Sequence, residues 1–401
     1  MMGSTSPSPP TTNGEYYHNS CSTNHATSNG SSSSPPSKLR ILHLGDSICY
    51  NQDIEARIAS KFDIIHPDPE DLLRSTFIQR LKDRTWGDFD AIMKPFWSSG
   101  NIGRWNDEVI QHLPGRMKIM ACAGAGFDWV DTQALAERGI IYCNGAHAST
   151  ESVANAALLH IYSVFTFFMW STTAARSGSP RMWQEAHTDI PLKARNPQGH
   201  KLGIVGLGNI GFAIARKVRA AFNMDILYTD LVQKPSQEQE VSATFYPSLN
   251  DMLPHCDALL LATPGGKPII TPDTLARLPD GARLVNIARG SLVQEEALAD
   301  AIESGHISAA ALDVHENEPN VNPRLRKMDR QVQLTCHTGG ASLETNNGFE
   351  RLVMENVEAV LEGRQAKTAV NLHFMHQTNG ESHVNGATTN GVAANGQVNG
   401  H

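Results

Sequence analysis

Cysteine is sparse and unpaired in this 401-residue chain. Its six cysteines, Cys21, Cys49, Cys122, Cys143, Cys256 and Cys336, are scattered without a C-x-x-C pair, which argues against a disulfide framework or a structural zinc site. No metal is expected, and reduced thiols fit the cytosol. Positive charge is also short, with 33 Lys plus Arg against 41 Asp plus Glu and a formal net charge of -8. No segment concentrates enough of it to neutralise a phosphate backbone, so a nucleic-acid partner is not expected.

Long apolar runs are nearly missing. The exception is residues 153–170, VANAALLHIYSVFTFFMW, which Asn155, His160, Ser163 and Thr166 interrupt. That makes a poor membrane span, and the run reads as one helix buried between two domains. The first 37 residues have almost no aliphatic side chains, one charge (Glu15) and no arginine. They lack the features of a secretory signal, a mitochondrial presequence or a myristoylation site, because Gly3 follows two methionines. Such a segment cannot offset the entropy of ordering itself, so 1–38 reads as a disordered tail. Residues 373–401 read the same way, since their five Asn-Gly pairs have no flanking apolar alternation to build a hairpin.

The chain between the tails alternates short apolar runs with helix-like segments. LRILHLGD, FDIIHP, DAIMKPF, MKIMACAG and GIIYCN form one series; KLGIVGLG, DILYTD, DALLLATPGG, RLVNIARG, ISAAALDV and VQLTCHTGG form a second. Two such series predict two open α/β domains with parallel sheets, and ligands in these folds sit beyond the carboxyl ends of the strands.

KLGIVGLGNIG places Gly206, Gly208 and Gly211 in G-x-G-x-x-G spacing between a strand and the helix-like FAIARKVRAAF. The first glycine permits the tight turn, the second lets backbone amides approach a pyrophosphate, and the third lets helix and strand pack closely. Asp230 follows Gly206 by 24 residues, at the end of the next strand. A carboxylate there accepts hydrogen bonds from a ribose and repels a 2′-phosphate, which favours NAD over NADP, although Lys234 lies close behind. Three further polar residues end later strands: Arg289 after LVNIA, Glu318 before Pro319, and His337 before Thr338-Gly339-Gly340. Each taken alone is as readily an ion-pair partner, a solvated acid or a core histidine.

Taken in order, VGLGNIG, LVNIARGSLVQEEALADAI, ALDVHENEP and CHTGGASLET, with AGAGFDWVDTQALAERGI upstream, resemble the signatures of the D-isomer-specific 2-hydroxyacid dehydrogenases. The resemblance covers roughly residues 39–371, and GDFDAI, WNDEVIQHLP, NPQGHKLG, DVHENEPNV and FERLVMEN are similar to the D-mandelate dehydrogenase branch. It implies an NAD-dependent enzyme that interconverts a D-2-hydroxy acid and its 2-oxo acid. His337 would be the general acid/base, Glu318 would orient it and favour its protonated form, and Arg289 would grip the substrate carboxylate and carbonyl.

The same resemblance assigns the nicotinamide carboxamide to Asp313. It places Asn209, Ile210, Thr263, Ala288 and Gly340 against the cofactor, and gives the substrate carboxylate the backbone amides of Ala123, Gly124 and Ala125. It implies a flavodoxin-like substrate domain (39–150 and 341–372) interrupted by a Rossmann domain with the interdomain helix (151–340). It also implies a homodimer formed through the nucleotide domain.

Asn155 stands where many members carry glutamate, and Trp129 where a small polar residue is common. Trp129, Trp97 and Phe96 are candidates to line a pocket for an aromatic or branched 2-oxo acid, with packing as the plainer role. The alternatives are an NADPH-dependent glyoxylate/hydroxypyruvate reductase and a non-enzymatic dinucleotide-sensing corepressor. Glu318 argues against a formate dehydrogenase, which would carry glutamine there.

Overall fold

The computed structural model describes residues 38–95 and 102–378. The expected N-terminal tail up to Ser37, residues 379–401 and the pocket candidates Phe96 and Trp97 lie outside them.

All eleven anticipated strand runs are strands, and both sheets are wholly parallel. In the first lobe β1 (Arg40–His43), β2 (Asp63–Ile65), β3 (Ala91–Lys94), β4 (Ile119–Cys122) and β5 (Ile141–Cys143) pair in the order β2-β1-β3-β4-β5. This is the flavodoxin-like order. The second lobe contains β6 (Lys201–Val205), β7 (Asp225–Thr229), β8 (Thr244–Phe245), β9 (Ala258–Leu261), β10 (Ala282–Asn286), β11 (Ile307–Leu312) and β12 (Val332–Leu334). They pair as β12-β11-β10-β9-β6-β7-β8, so the order reverses between β6 and β9, directly beyond the glycine turn. The unanticipated strand, β8, has two residues, too few to show a period.

Central strands such as β4 and β9 are buried along their whole length, as expected where helices cover both faces of a parallel sheet. In β11 the small residues Ala309 and Ala311 let helix Ala146–Thr166 settle close to the sheet, in one core with Ala154, Ala157, Ile161 and Phe165. Each fully buried Ile or Phe there contributes about 1.5–3 kcal/mol of apolar burial.

The expected single helix over 153–170 is instead two, Ala146–Thr166 and Phe168–Arg176, bent by 82°. Phe167 takes the left-handed conformation at the break (φ 53°), which costs a non-glycine residue about 1–2 kcal/mol. No glycine or proline marks the site. Tertiary partners take the final carbonyls: Arg283 Nε donates to Val164 O at 3.2 Å, and Arg195 N–H donates to Phe165 O at 2.8 Å. Phe165, Phe167 and Trp170 are thereby buried on both sides of the bend. No single helix among the described residues is long and apolar enough to cross a membrane.

Helix Leu343–Leu361 starts at Ser342, whose Oγ accepts the Thr345 N–H, and packs on β3, β4 and helix Gln52–Lys61 of the first lobe. Its Glu350 is fully buried. The carboxylate accepts the N–H groups of Cys49, Tyr50 and Asn51 at 2.7, 2.8 and 2.9 Å, which closes the loop after β1. Glu358, two turns on, meets Arg57 and Lys61.

One expected tail is corrected in part. The chain from 373 continues a helix, Leu372–Thr378. Buried Asn371 pins it to the first lobe by accepting the Tyr142 N–H and donating to Thr132 O and Ile140 O.

Candidate active site

The nucleotide end is built on the turn after β6. Gly206 has φ 96°, and a Cβ there would lie 2.7 Å from Ala262 O. A Cβ at Gly211 would lie 2.0 Å from Gly206 O, so the third glycine is what lets helix Asn209–Phe222 sit against the turn. Gly208, at the helix N-cap, has nothing within 4 Å of such a Cβ. Open space before free helix N–H groups is the form that a pyrophosphate needs, so these residues fit a dinucleotide.

A cavity of about 250 Å³ runs from there along Gly208, Asn209, Ile210, Thr263, Ala288 and Arg289. Asp230 sits at the end of β7, and its carboxylate accepts the N–H of Leu207 at 2.8 Å and of Leu231 at 2.7 Å. It therefore also braces the glycine turn, a duty its spacing did not reveal.

Arg289, Asp313 and His337 follow the carboxyl ends of β10, β11 and β12. All three line a second cavity of about 450 Å³ with Gly124, Ala125, Gly126 and Gly340. Buried Asn286 shapes the first turn: Nδ2 donates to Arg289 O at 2.9 Å and Oδ1 accepts the Ala288 N–H at 3.1 Å. The guanidinium of Arg289 lies on Gly126, where a Cβ would come within 1.1 Å of it. Its Nε donates to Asp128 Oδ1 at 2.9 Å, a contact between the lobes that the sequence reading missed. Burial pushes the Asp128 carboxyl up, but the bond and charge of Arg289 outweigh it and hold the carboxyl below the usual range.

Asp313 is buried, and its carboxylate accepts Thr335 Oγ1–H and the N–H groups of Thr338 and Gly339 at 2.6, 2.9 and 2.8 Å. Its carbonyl accepts the His337 N–H at 2.7 Å. Asp313 therefore holds the histidine turn as well as facing the cavity. His337 is left-handed (φ 55°), and its Nδ1 lies 3.0 Å from Glu318 Oε2. Glu318 Oε1 accepts the N–H of His315 at 2.9 Å. A carboxylate on Nδ1 fixes that nitrogen as the proton-bearing one and leaves Nε2 for exchange with a ligand.

Among the described residues, the free amides of the loop after β4 are offset by one residue from the expected Ala123, Gly124 and Ala125. Ala123 N–H is taken by Lys94 O at 2.8 Å, because it extends the β3–β4 ladder. The N–H groups of Gly124, Ala125 and Gly126 have no intramolecular acceptor among the described residues. Trp129 lies outside the lining of both cavities. Its ring packs edge-on to Tyr142 at 6.3 Å, with Lys94 Nζ 4.5 Å from its centroid, so burial against the first-lobe core takes the side chain. Ser149, Val153, Asn346 and Phe349 line the larger cavity instead. They come from the starts of helices Ala146–Thr166 and Leu343–Leu361; Phe349 opens FERLVMEN, and no motif marks the other three. Phe349 is held there by close packing on Gly145, where a Cβ would be 2.6 Å from its ring.

Residues 167–339 match the family model described as D-isomer specific 2-hydroxyacid dehydrogenase, NAD binding domain. The chain is 34% identical over 271 residues to glyoxylate reductase of Pyrococcus horikoshii, covering 67% of this chain and 80% of that protein. It is 31% identical over 300 residues to 4-methyl-2-oxopentanoate reductase A of Aspergillus oryzae, covering 74% and 88%. The holo crystal structure of Rhodotorula graminis D-mandelate dehydrogenase superposes with a TM-score of 0.79 at 36% identity, covering 84% of this chain and 98% of that one. A relative above 30% identity matched over most of its length, with the order of strands and the placement of Arg289, Glu318 and His337, settles the assignment: the chain belongs to the D-isomer specific 2-hydroxyacid dehydrogenase family.

Proposed function

We propose that the protein interconverts a D-2-hydroxy acid with an aromatic or branched side chain and its 2-oxo acid, using NAD in preference to NADP. The observation that carries this reading is the convergence on one 450 Å³ cavity of His337 backed by Glu318, the Arg289 guanidinium, and the N–H groups of residues 124–126, which have no partner among the described residues. NADH, when bound, supplies the hydride.

Arg289 and the loop amides bind the substrate carboxylate, and the guanidinium draws charge onto the carbonyl oxygen. His337 gives that oxygen the proton from Nε2, while Glu318 steadies the ring through Nδ1. In the reverse direction His337 accepts the hydroxyl proton. Val153, Ile210, Ile287 and Phe349 surround the cavity with apolar surface and exclude water. These side chains, not Trp129, support an aromatic or branched substrate. Asp230 supports NAD, since a 2′-phosphate would add negative charge beside its carboxylate.

The same reading makes the protein a cytosolic homodimer. The described cysteines are free. Leu159, Tyr162, Phe168 and Trp183 stand exposed on helices of the nucleotide lobe, where a second copy would cover them. A panel of 2-oxo acids from glyoxylate through 4-methyl-2-oxopentanoate to phenylglyoxylate, each with NADH and NADPH, tests the assignment. Highest kcat/KM for glyoxylate with NADPH would make it a glyoxylate/hydroxypyruvate reductase. NADH binding without turnover on any acid would make it a dinucleotide sensor.

A further inference from the structure

Behind the His337–Glu318 pair lie a second histidine and a second glutamate with no part in the mechanism above. His315, in the turn after β11, and Glu295, at the start of helix Glu295–Glu303, are both buried. His315 Nε2 lies 2.8 Å from Thr335 O, and a carbonyl only accepts, so Nε2 carries a proton. Nδ1 has no hydrogen-bond partner among the described residues, and Glu295 Oε1 faces it at 3.8 Å. Glu295 also accepts the Glu316 N–H at 3.0 Å. At that distance Glu295 stands beside the ring without a hydrogen bond to it, while Thr335 O takes the Nε2 proton and fixes the ring's other edge. Burial pushes the Glu295 carboxyl up, against the lowering effect of the Glu316 N–H and of His315.

His315 touches the proton-transfer pair from two sides. Its backbone N–H holds Glu318 Oε1 at 2.9 Å, while Oε2 of the same carboxylate faces His337. Its ring holds Thr335, two residues before His337. Its carbonyl is pressed onto Gly290, next to Arg289, where a Cβ would lie 1.9 Å away. The charged groups around the ring and its partner are Glu295 and Glu296 from the helix, Glu316 and Glu318 from the turn, and His337 from the end of β12.

We propose that His315, set against Glu295, is a positioning residue for proton transfer: its ring fixes Thr335, its backbone N–H fixes Glu318, and together they align that carboxylate with His337 and set the pH range in which His337 delivers its proton. This rests on the assignment of His337 as the acid/base group.

Three variants test it. His315→Phe keeps a planar ring and removes both nitrogens, His315→Gln restores a donor toward Thr335 O, and Glu295→Gln removes the charge but keeps an acceptor for Glu316. With phenylglyoxylate, His315→Phe and Glu295→Gln should lower kcat about ten-fold and move the alkaline limb of the reduction profile to lower pH. NADH binding, followed by fluorescence, should stay within about two-fold, and His315→Gln should recover most of kcat. An unmoved alkaline limb in both variants, a Gln variant as impaired as the Phe variant, or NADH affinity lost in step with kcat would overturn the proposal. If His315→Phe does not fold, the isosteric Glu295→Gln decides. A His337→Ala control separates the two assignments, since turnover retained there removes the acid/base group itself.

Discussion

Arg289 of the nucleotide lobe spans the cleft to Asp128 of the first lobe, with Nε 2.9 Å from Oδ1. The cation proposed to grip a substrate carboxylate is thus already paired with one, and under that proposal an incoming 2-oxo acid competes with Asp128. Asp128→Asn leaves an oxygen for Nε and removes the charge. KM for 2-oxo acids should fall about two- to five-fold, the worth of a partly exposed ion pair. A KM that rises in steady-state assays would show that Asp128 serves to hold Arg289 in place.

Proton transfer makes a paired prediction. His337→Ala should lower kcat by about 10²–10⁴-fold with NADH binding intact, the usual scale of a lost acid/base group. Glu318→Gln keeps the hydrogen bond and removes the charge that favours imidazolium. Reduction needs a protonated His337, so its alkaline limb should move to lower pH. Identical profiles for the Gln variant and the parent would take Glu318 out of its role.

Asp230 supports the loop, and under the proposed function it also carries cofactor choice. Asp230→Ala should weaken NADH binding, because the N–H groups of Leu207 and Leu231 lose their acceptor. It should also cut the NADH:NADPH ratio of kcat/KM about ten-fold, the effect of ~1.4 kcal/mol. Parallel losses for both cofactors would leave only the loop-supporting function.

Glu358 supplies a stability prediction. Its hydrogen bond to Arg57, against the opposing effect of burial and with help from Lys61, holds its carboxyl down to about 2. A carboxyl lowered in the folded state stabilises fully above its unfolded value, and that stabilisation is lost as pH falls toward the folded value. Arg57 and Lys61 are more than a third exposed, so solvent screens the pair and Glu358→Gln should cost about 1–2 kcal/mol at neutral pH. Denaturant melts should show the gap closing between about pH 4.5 and 2. A gap that persists at the acid end would place its origin in packing.

The strands, the glycine turn and the three polar strand ends were legible because their signals are local. β-rich runs, glycines at fixed spacing and polar residues at strand ends need no knowledge of distant partners. The break at Phe167 was hidden because its causes, Arg195 and Arg283, lie far along the chain. The size of Trp129 suggests a pocket wall, but its neighbours Tyr142 and Lys94 decide where it points. Ala123 belongs to the loop by sequence, yet its amide still belongs to the ladder. Asn346 lies in no motif, and FERLVMEN does not show that its Phe349 faces the cavity, since a helix from the far end of the chain carries both there. Asp128 pairs with a residue 161 positions away, which spacing cannot reveal.

The buried Glu350 imposes an order of assembly. The amides of residues 49–51, among the earliest of the described chain to leave the ribosome, wait for an acceptor that lies about 300 residues later. The nucleotide lobe, whose strands all lie between 201 and 334, can complete its hydrogen bonding while the first lobe is still open. The lobe begun first is finished last, so a nascent chain stalled before helix Leu343–Leu361 would present a folded nucleotide lobe joined to a first lobe that proteases can still cut.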